Sequence, residues 1–289
     1  AVFTGSDAVG VGRSTLAALT SGSNNVAVGT LAGTSLTEGL QNTLVGTQAG
    51  DALTDADFNV AIGQSALSAD TLGSRSVAVG YATLTNQNFT TATNSHNVAV
   101  GYFAGAAITT GIENTLLGPF AGDALTDADF NVALGTFALT ADTLGSRSTA
   151  LGRSALASQN FTTATDVYNV AAGFNAGTSV TTGIQNTLIG GLAGDALTDA
   201  DFNVAVGYGA LTADTLGSMS VAVGYTALGT QNMTTATNAL NVAVGQAAGS
   251  AITTGKEHTI IGGLAGDALT TGDRNVVVGT NALGADTQG

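Results

Sequence analysis

The 289-residue sequence has no cysteine, no tryptophan, one proline and two histidines, and sets 6 cations against 20 acids. The missing cysteines exclude disulfide and thiol chemistry. A net charge of −14, with Lys256 the only lysine, leaves no basic stripe to neutralise phosphates. Nucleic acid is therefore not an expected partner, and anionic membrane surfaces are disfavoured on the same ground. Charged residues make up only 9%, but hydrophobic ones reach 44%, so the signature of disorder is absent too. No apolar run is long enough for a membrane-spanning helix, and no membrane insertion is expected of this segment. Ala1-Val2-Phe3-Thr4 opens no charged-then-apolar export segment, so any signal, anchor or cap is expected to lie outside this chain. His96 and His258 fall at different points of the pattern described below, and no nucleophile is paired with a base. Gly10-Val11-Gly12 lacks the strand–loop–helix setting of a phosphate loop. The expectation is a non-enzyme with no catalytic residue, cofactor or resident metal.

What the chain has instead is glycine at a fixed 17-residue step. Gly12, Gly29, Gly46, Gly63 and Gly80 begin the series, which continues through Gly101, Gly118, Gly135, Gly152, Gly173, Gly190, Gly207, Gly224, Gly245, Gly262 and Gly279. One step in every four is a longer, 21-residue step, which makes a 72-residue super-repeat. Self-similarity over nearly the whole chain signals a repeat architecture. Each glycine closes an apolar triplet preceded in most repeats by Asn, as in Asn97-Val98-Ala99-Val100-Gly101. β-Branched residues at i and i+2 are strand spacing, the glycine permits a bend without a Cβ clash, and the Asn is expected at a corner, bonding its local main chain. A repeat of this length suits one coil of a β-solenoid.

The predicted fold is all-β: a parallel β-solenoid, or β-roll, of about sixteen 17-residue coils. Residues 1–289 are read as a single repeat domain, a segment of a longer fibre. Stacking at strand spacing predicts a rod on the order of 75 Å. Three residues after each glycine comes Ala in nearly every coil, and eight after comes Thr in every 17-residue coil. A leucine trades places: Gly33 goes with Leu36, whereas Leu67 goes with Asp70, which keeps core volume nearly constant. If the residues flanking each triplet fill the coil, the middle residue faces water, yet it is never polar (Ala27, Leu44, Ala61, Leu116, Ile260). An apolar strip of that extent predicts burial against sister chains in a closed homo-oligomer.

The unit Asn-Thr/Val-Ala/Leu-Val-Gly-x-x-Ala-Gly/Leu, followed by a Thr-rich stretch and Gly, resembles the Asn-Thr-Ala-Val-Gly-type repeats of bacteriophage tail-fibre proteins. It is also similar to the head repeats of trimeric autotransporter adhesins, whose coils are usually shorter. The resemblance covers residues 8–289. It implies a homotrimer of parallel β-rolls, a structural and adhesive fibre on a virion or in the extracellular space, and self-association as the first partnership. The alternative from another class is an ice-binding or surface-layer solenoid.

Three features carry candidate chemistry. Asp55-Ala56-Asp57 recurs as Asp127-Ala128-Asp129 and Asp199-Ala200-Asp201; alternating carboxylates suit Ca²⁺, and Asp bonding backbone amides in a turn is the favoured reading. The Thr column suggests either an ice-organising array or a hydroxyl ladder between coils, with the ladder favoured. The 21-residue coils widen at Gln87–His96, Gln159–Tyr168 and Gln231–Leu240. Insertions in solenoids map to loops on one face, often the binding face. Phe89, His96, Phe161, Tyr168 and Met233 are therefore the candidate contact residues for a cell-surface receptor or glycan; the competing expectation has Phe89, Phe161 and Met233 folded inward as plugs.

Overall fold

The computed structural model describes residues 5–288; the opening Ala1–Thr4 lies outside the described residues. Among the described residues there is no helix, and the regular structure is β throughout. The chain divides into two compact units, Ala1–Ser146 with Thr162–Ala164, and Arg147–Phe161 with Thr165–Gly289.

Each unit is a parallel β-solenoid in which every turn of the repeat carries one three-residue strand, with sixteen such strands among the described residues. The first unit holds those from Val9–Val11 to Val132–Leu134, and the second those from Thr149–Leu151 to Val276–Val278. Register follows the repeat: Val26, Ala27 and Val28 pair with Thr43, Leu44 and Val45, which pair in turn with Val60, Ala61 and Ile62. Every residue thus lies over its own equivalent, and backbone bonds run from coil to coil, as in Val26 N–H to the Asn42 carbonyl at 2.8 Å. The insertions add short strands, Gly73–Ser74 pairing with Thr93–Asn94 and Gly217–Ser218 with Thr237–Asn238.

The orientation of the triplet is the reverse of the expected one. The middle residues Ala27, Leu44, Ala61, Ala99, Leu116, Ala150, Leu188 and Ala243 are fully buried, while the flanks point outward, with Ile62 39% and Leu134 48% exposed. The reason lies one residue upstream. Asn25, Asn42, Asn97 and Asn114 are themselves fully buried, and strand alternation then places the second residue after each Asn on the inside as well.

The Asn residues are not corner residues bonding locally. They form a ladder up the coil interior. Asn25 Nδ2 donates to the Gly39 carbonyl at 2.7 Å, and its Oδ1 accepts from the Asn42 N–H at 2.9 Å. Asn42 repeats both bonds, to Ala56 and from Asn59. Each amide is satisfied on both its nitrogen and its oxygen by the next coil, which is what allows a polar group to be buried in so thin a core. The left-handed backbone sits on the residue before it, for example Gln41 (φ 56) and Phe58 (φ 59).

The rest of the interior is small and complementary. Leu44 lies between Gly33 and Gly50: a Cβ on Gly33 would meet Leu44 Cδ1 at 2.7 Å, and one on Gly50 would meet Leu44 Cδ2 at 2.8 Å. The leucine that these two coils omit at that position appears three residues later as Leu36 and Leu53, both fully buried. The exchange conserves volume, as close packing requires.

Candidate functional site

The outward face of the strands runs through every coil of each unit. The residue before each repeat glycine is apolar in every coil, including Val28, Ile62, Val100, Leu134, Leu151, Ile189, Val244 and Ile261, all exposed. Two exposed columns border the strand. One residue after the glycine stand Tyr81, Tyr102, Phe174, Tyr208 and Tyr225; five residues before it stand Phe58, Phe130, Tyr168, Phe202, Met219 and Leu240.

Rings in these borders stack along the coil direction. Tyr81 and Tyr102 are 5.4 Å apart and nearly parallel, and in the second unit Tyr208 and Tyr225 are 5.8 Å apart; one position further from the glycine, Phe120 and Phe137 stack at 5.3 Å. The same borders collect the chain's arginines. All five arginines lie there: Arg13 and Arg153 after the glycine, and Arg75, Arg147 and Arg274 before the Asn position. Of the 20 acids only Asp7, Glu113 and Glu257 share these columns. Arg75 lies 5.1 Å from the Phe58 ring centroid and Arg153 lies 5.7 Å from that of Phe174. Arg147 pairs with Asp166 at 2.7 Å and Arg274 with Glu257 at 2.8 Å. The last pair is fully exposed; it holds the Glu257 carboxyl below its usual range through the hydrogen bond and charge of Arg274. An acidic protein thus keeps a face that is apolar, aromatic and locally basic.

The insertions place their candidate residues in two groups. Phe89 is 5% exposed, Phe161 7% and Met233 4%, so these three fold inward, as the plug reading expects. His96 is exposed and Tyr168 is 50% exposed, both at left-handed positions (φ 50 and 57) directly before the buried Asn97 and Asn169. The exposed part of the first and third insertions is the polar stretch Thr90-Thr91-Ala92 and Thr234-Thr235-Ala236.

Beneath each of these two insertions lies a buried polar network. Asp70 Oδ1 accepts from the Gly73 and Phe89 N–H groups at 3.0 Å each. Gln87 Nε2 donates to Asp70 Oδ2 at 2.6 Å and to Ser76 Oγ at 2.9 Å, and Gln87 Oε1 accepts from Asn97 Nδ2 at 2.8 Å. Asp214, Gln231, Ser220 and Asn241 repeat it. Ser76 stands where the Asn ladder skips a rung, and Gln87 reaches across to fill it. Burial pushes the Asp70 carboxyl above its ordinary value, against the lowering effect of these hydrogen bonds. The recurrence of Gln87-Asn88, Gln159-Asn160 and Gln231-Asn232, together with Ser in place of Asn at 76, 148 and 220, is the sequence signal for this network.

The remaining polar columns are engaged between coils. Asp57 Oδ1 accepts from the Leu40 N–H at 2.7 Å, Asp129 from Ile112 at 2.8 Å and Asp201 from Ile184 at 2.8 Å, which is turn chemistry reaching one coil back. Thr37 Oγ1 donates to the Thr54 carbonyl at 3.2 Å, Thr54 to Thr71 at 3.0 Å and Thr198 to Thr215 at 3.0 Å. The column is a hydroxyl ladder, and its donors point along the stack rather than to solvent. Compared with protein-family models, with curated proteins and with solved structures, the chain matches none.

Proposed function

We propose that this chain is a structural and adhesive fibre segment whose copies associate through the outward strand face, with the insertion loops available for receptor or lateral contacts. The observation that carries the reading is the unbroken apolar column on that face. Eight rungs of a three-residue strand, each about 4.8 Å by about 10 Å, give a face on the order of 400 Å² per unit before the bordering rings are added, apolar but for Thr43 and Thr115 in the first unit and Thr149, Thr187 and Thr259 in the second. Monomeric soluble proteins rarely leave more than a few hundred Å² of contiguous apolar surface bare. The need for a cover therefore passes from the middle residues of the triplets to their neighbours.

A parallel, in-register ring of copies would bring the border before one strand against the border after the strand of the next copy. That arrangement sets Asp7 near Arg13 in the first unit, and Phe202 near Tyr208 and Met219 near Tyr225 in the second. These are opposite charges, paired rings, and sulfur against a ring; the same register also sets Arg147, held by Asp166, near Arg153. Three copies is the number implied by the family resemblance. An extracellular or virion-surface location and a cell-surface receptor or glycan partner belong to the same proposal.

The test is sedimentation equilibrium of the purified chain beside Val100→Asp and Ile189→Asp, which place carboxylates on the outer face without touching the interior. Three copies in the parent and a well-folded monomer in the variants are expected. A parent chain that stays monomeric at high micromolar concentration refutes the fibre reading. Deleting the four extra residues of each insertion should leave assembly intact and weaken receptor binding.

A further inference from the structure

We infer that Asn88, Asn160 and Asn232 are acceptor sites for an N-linked glycan. Asn-x-Ser/Thr, with x other than Pro, is the acceptor pattern for this modification. The chain is rich in Asn, yet only three fit it: Asn88-Phe89-Thr90, Asn160-Phe161-Thr162 and Asn232-Met233-Thr234. All three fall in the 21-residue coils, at the same point of the super-repeat. The ladder asparagines are followed by Val-Ala or Thr-Leu at every rung but one, where Val-Val follows Asn275, and none of these fits the pattern.

The first and third copies have the geometry an acceptor needs. Thr71 Oγ1 donates to Asn88 Oδ1 at 3.0 Å, and Thr215 Oγ1 donates to Asn232 Oδ1 at 3.1 Å. That bond fixes the amide plane through its oxygen and leaves the nitrogen free of any protein partner. Neither Nδ2 is among the buried unpartnered atoms of the described residues, so both keep some contact with solvent. Thr90 and Thr234 are exposed, whereas Phe89 and Met233 are buried beneath them. The side chain between Asn and Thr anchors the loop, with the Thr outside and the Asn half-buried beside it. Asn160 and Thr162 are likewise exposed. A glycan at each site would project from the widened coil once per super-repeat, away from the ladders that hold the coils together.

The reaction is a group transfer with a lipid-pyrophosphate-linked oligosaccharide as donor. Asn Nδ2 bonds to C1 of the first sugar, the bond from C1 to the pyrophosphate oxygen breaks, and lipid pyrophosphate leaves with the electron pair. Nδ2 gives up one proton, and nothing is oxidised or reduced.

The full chain, translated behind a cleavable signal segment with microsomal membranes, supplies the test. Protease-protected chains should show three endoglycosidase-sensitive mobility shifts. Thr90→Ala, Thr162→Ala and Thr234→Ala should each remove one, and so should Asn88→Asp, which keeps the oxygen that Thr71 bonds. Protected chains without a shift would overturn the inference, and one or two shifts would overturn it for the sites that stay unmodified. A glycosylated product that has lost the trypsin resistance of the unmodified protein would overturn the claim that Nδ2 of Asn88 and Asn232 is open in the folded state.

Discussion

Replacing His258 by Asn should stabilise the second unit, and increasingly so as the pH falls. His258 occupies a rung of the Asn ladder and is 1% exposed. Its N–H donates to Asn241 Oδ1 at 2.9 Å, and its Nδ1 accepts from the Asn275 N–H at 3.2 Å. The neutral ring must therefore carry its proton on Nε2. That nitrogen faces the Gly272 carbonyl, the counterpart of the acceptor that Asn25 finds in Gly39, yet it meets nothing in hydrogen-bonding geometry. Asn275 Nδ2 is orphaned beside it. An Asn at 258 would recover the Nδ2 bond that its equivalents make at 2.7 to 3.0 Å. It would also offer Oδ1 to Asn275, as Asn25 does to Asn42 Nδ2 at 3.1 Å.

A buried unsatisfied donor costs about 1–3 kcal/mol and a satisfied bond returns about 1 kcal/mol, so a gain of about 1–2 kcal/mol is expected at pH 7.5 after the smaller side chain gives up some packing. Burial holds the His258 pKa below its ordinary value of 6.5. The unfolded chain therefore binds a proton that the folded one resists, and stability is lost as pH falls from 6.5 toward the folded value. Asn has no such loss. Hydrogen exchange at the Thr259 and Asn275 amides, compared at pH 7.5 and 5.5, reads this locally, which suits a repeat protein whose unfolding need not be two-state. Equal or faster exchange in the variant at both pH values would refute the ladder mechanism.

Two further outcomes follow from the packing and the charges. Gly46→Ala should destabilise by more than about 4 kcal/mol or abolish folding, because its Cβ would stand 2.4 Å from the Gly63 carbonyl oxygen at a φ of +138; circular dichroism and thermal unfolding are the readout. In the His258→Asn background, stability should rise on acidification toward the ordinary carboxyl value of 3.8. Burial raises the carboxyl pKa values of Asp51, Asp70 and Asp123, so the folded chain takes up protons before the unfolded one does between those raised values and 3.8, and the net charge of −14 is relieved at the same time. Urea midpoints that fall over this range would contradict it.

The architecture was legible because the repeat glycine, the Thr column and the leucine exchange are each dictated by contact between adjacent coils, and a periodic chain prints such contacts as periodic letters. The inside and outside of the triplet were not legible. Polarity suggested that Asn25 belonged at a corner and Val26 and Val28 inside, whereas a ladder of amides satisfied by neighbouring coils buries Asn25 and turns the valines outward. No single repeat read alone reveals a hydrogen bond that needs two. Phe89 and Met233 were ambiguous for a related reason: an aromatic or a methionine in an insertion reads alike as lure or as anchor until the underlying Asp70 and Asp214 networks place it.

Every turn also holds non-glycine residues in the left-handed region, for instance Leu31 (φ 63), Gln41 (φ 56), Ser65 (φ 56) and Leu67 (φ 55). Each such residue is uphill by roughly 1 kcal/mol or more on its own. An isolated turn is therefore worse than no turn, and only a neighbour's carbonyls and amides make it worth forming. Folding must begin with an unfavourable stack of several turns and then run outward like a zipper. Shortening the array should at some point abolish the fold abruptly instead of weakening it by degrees.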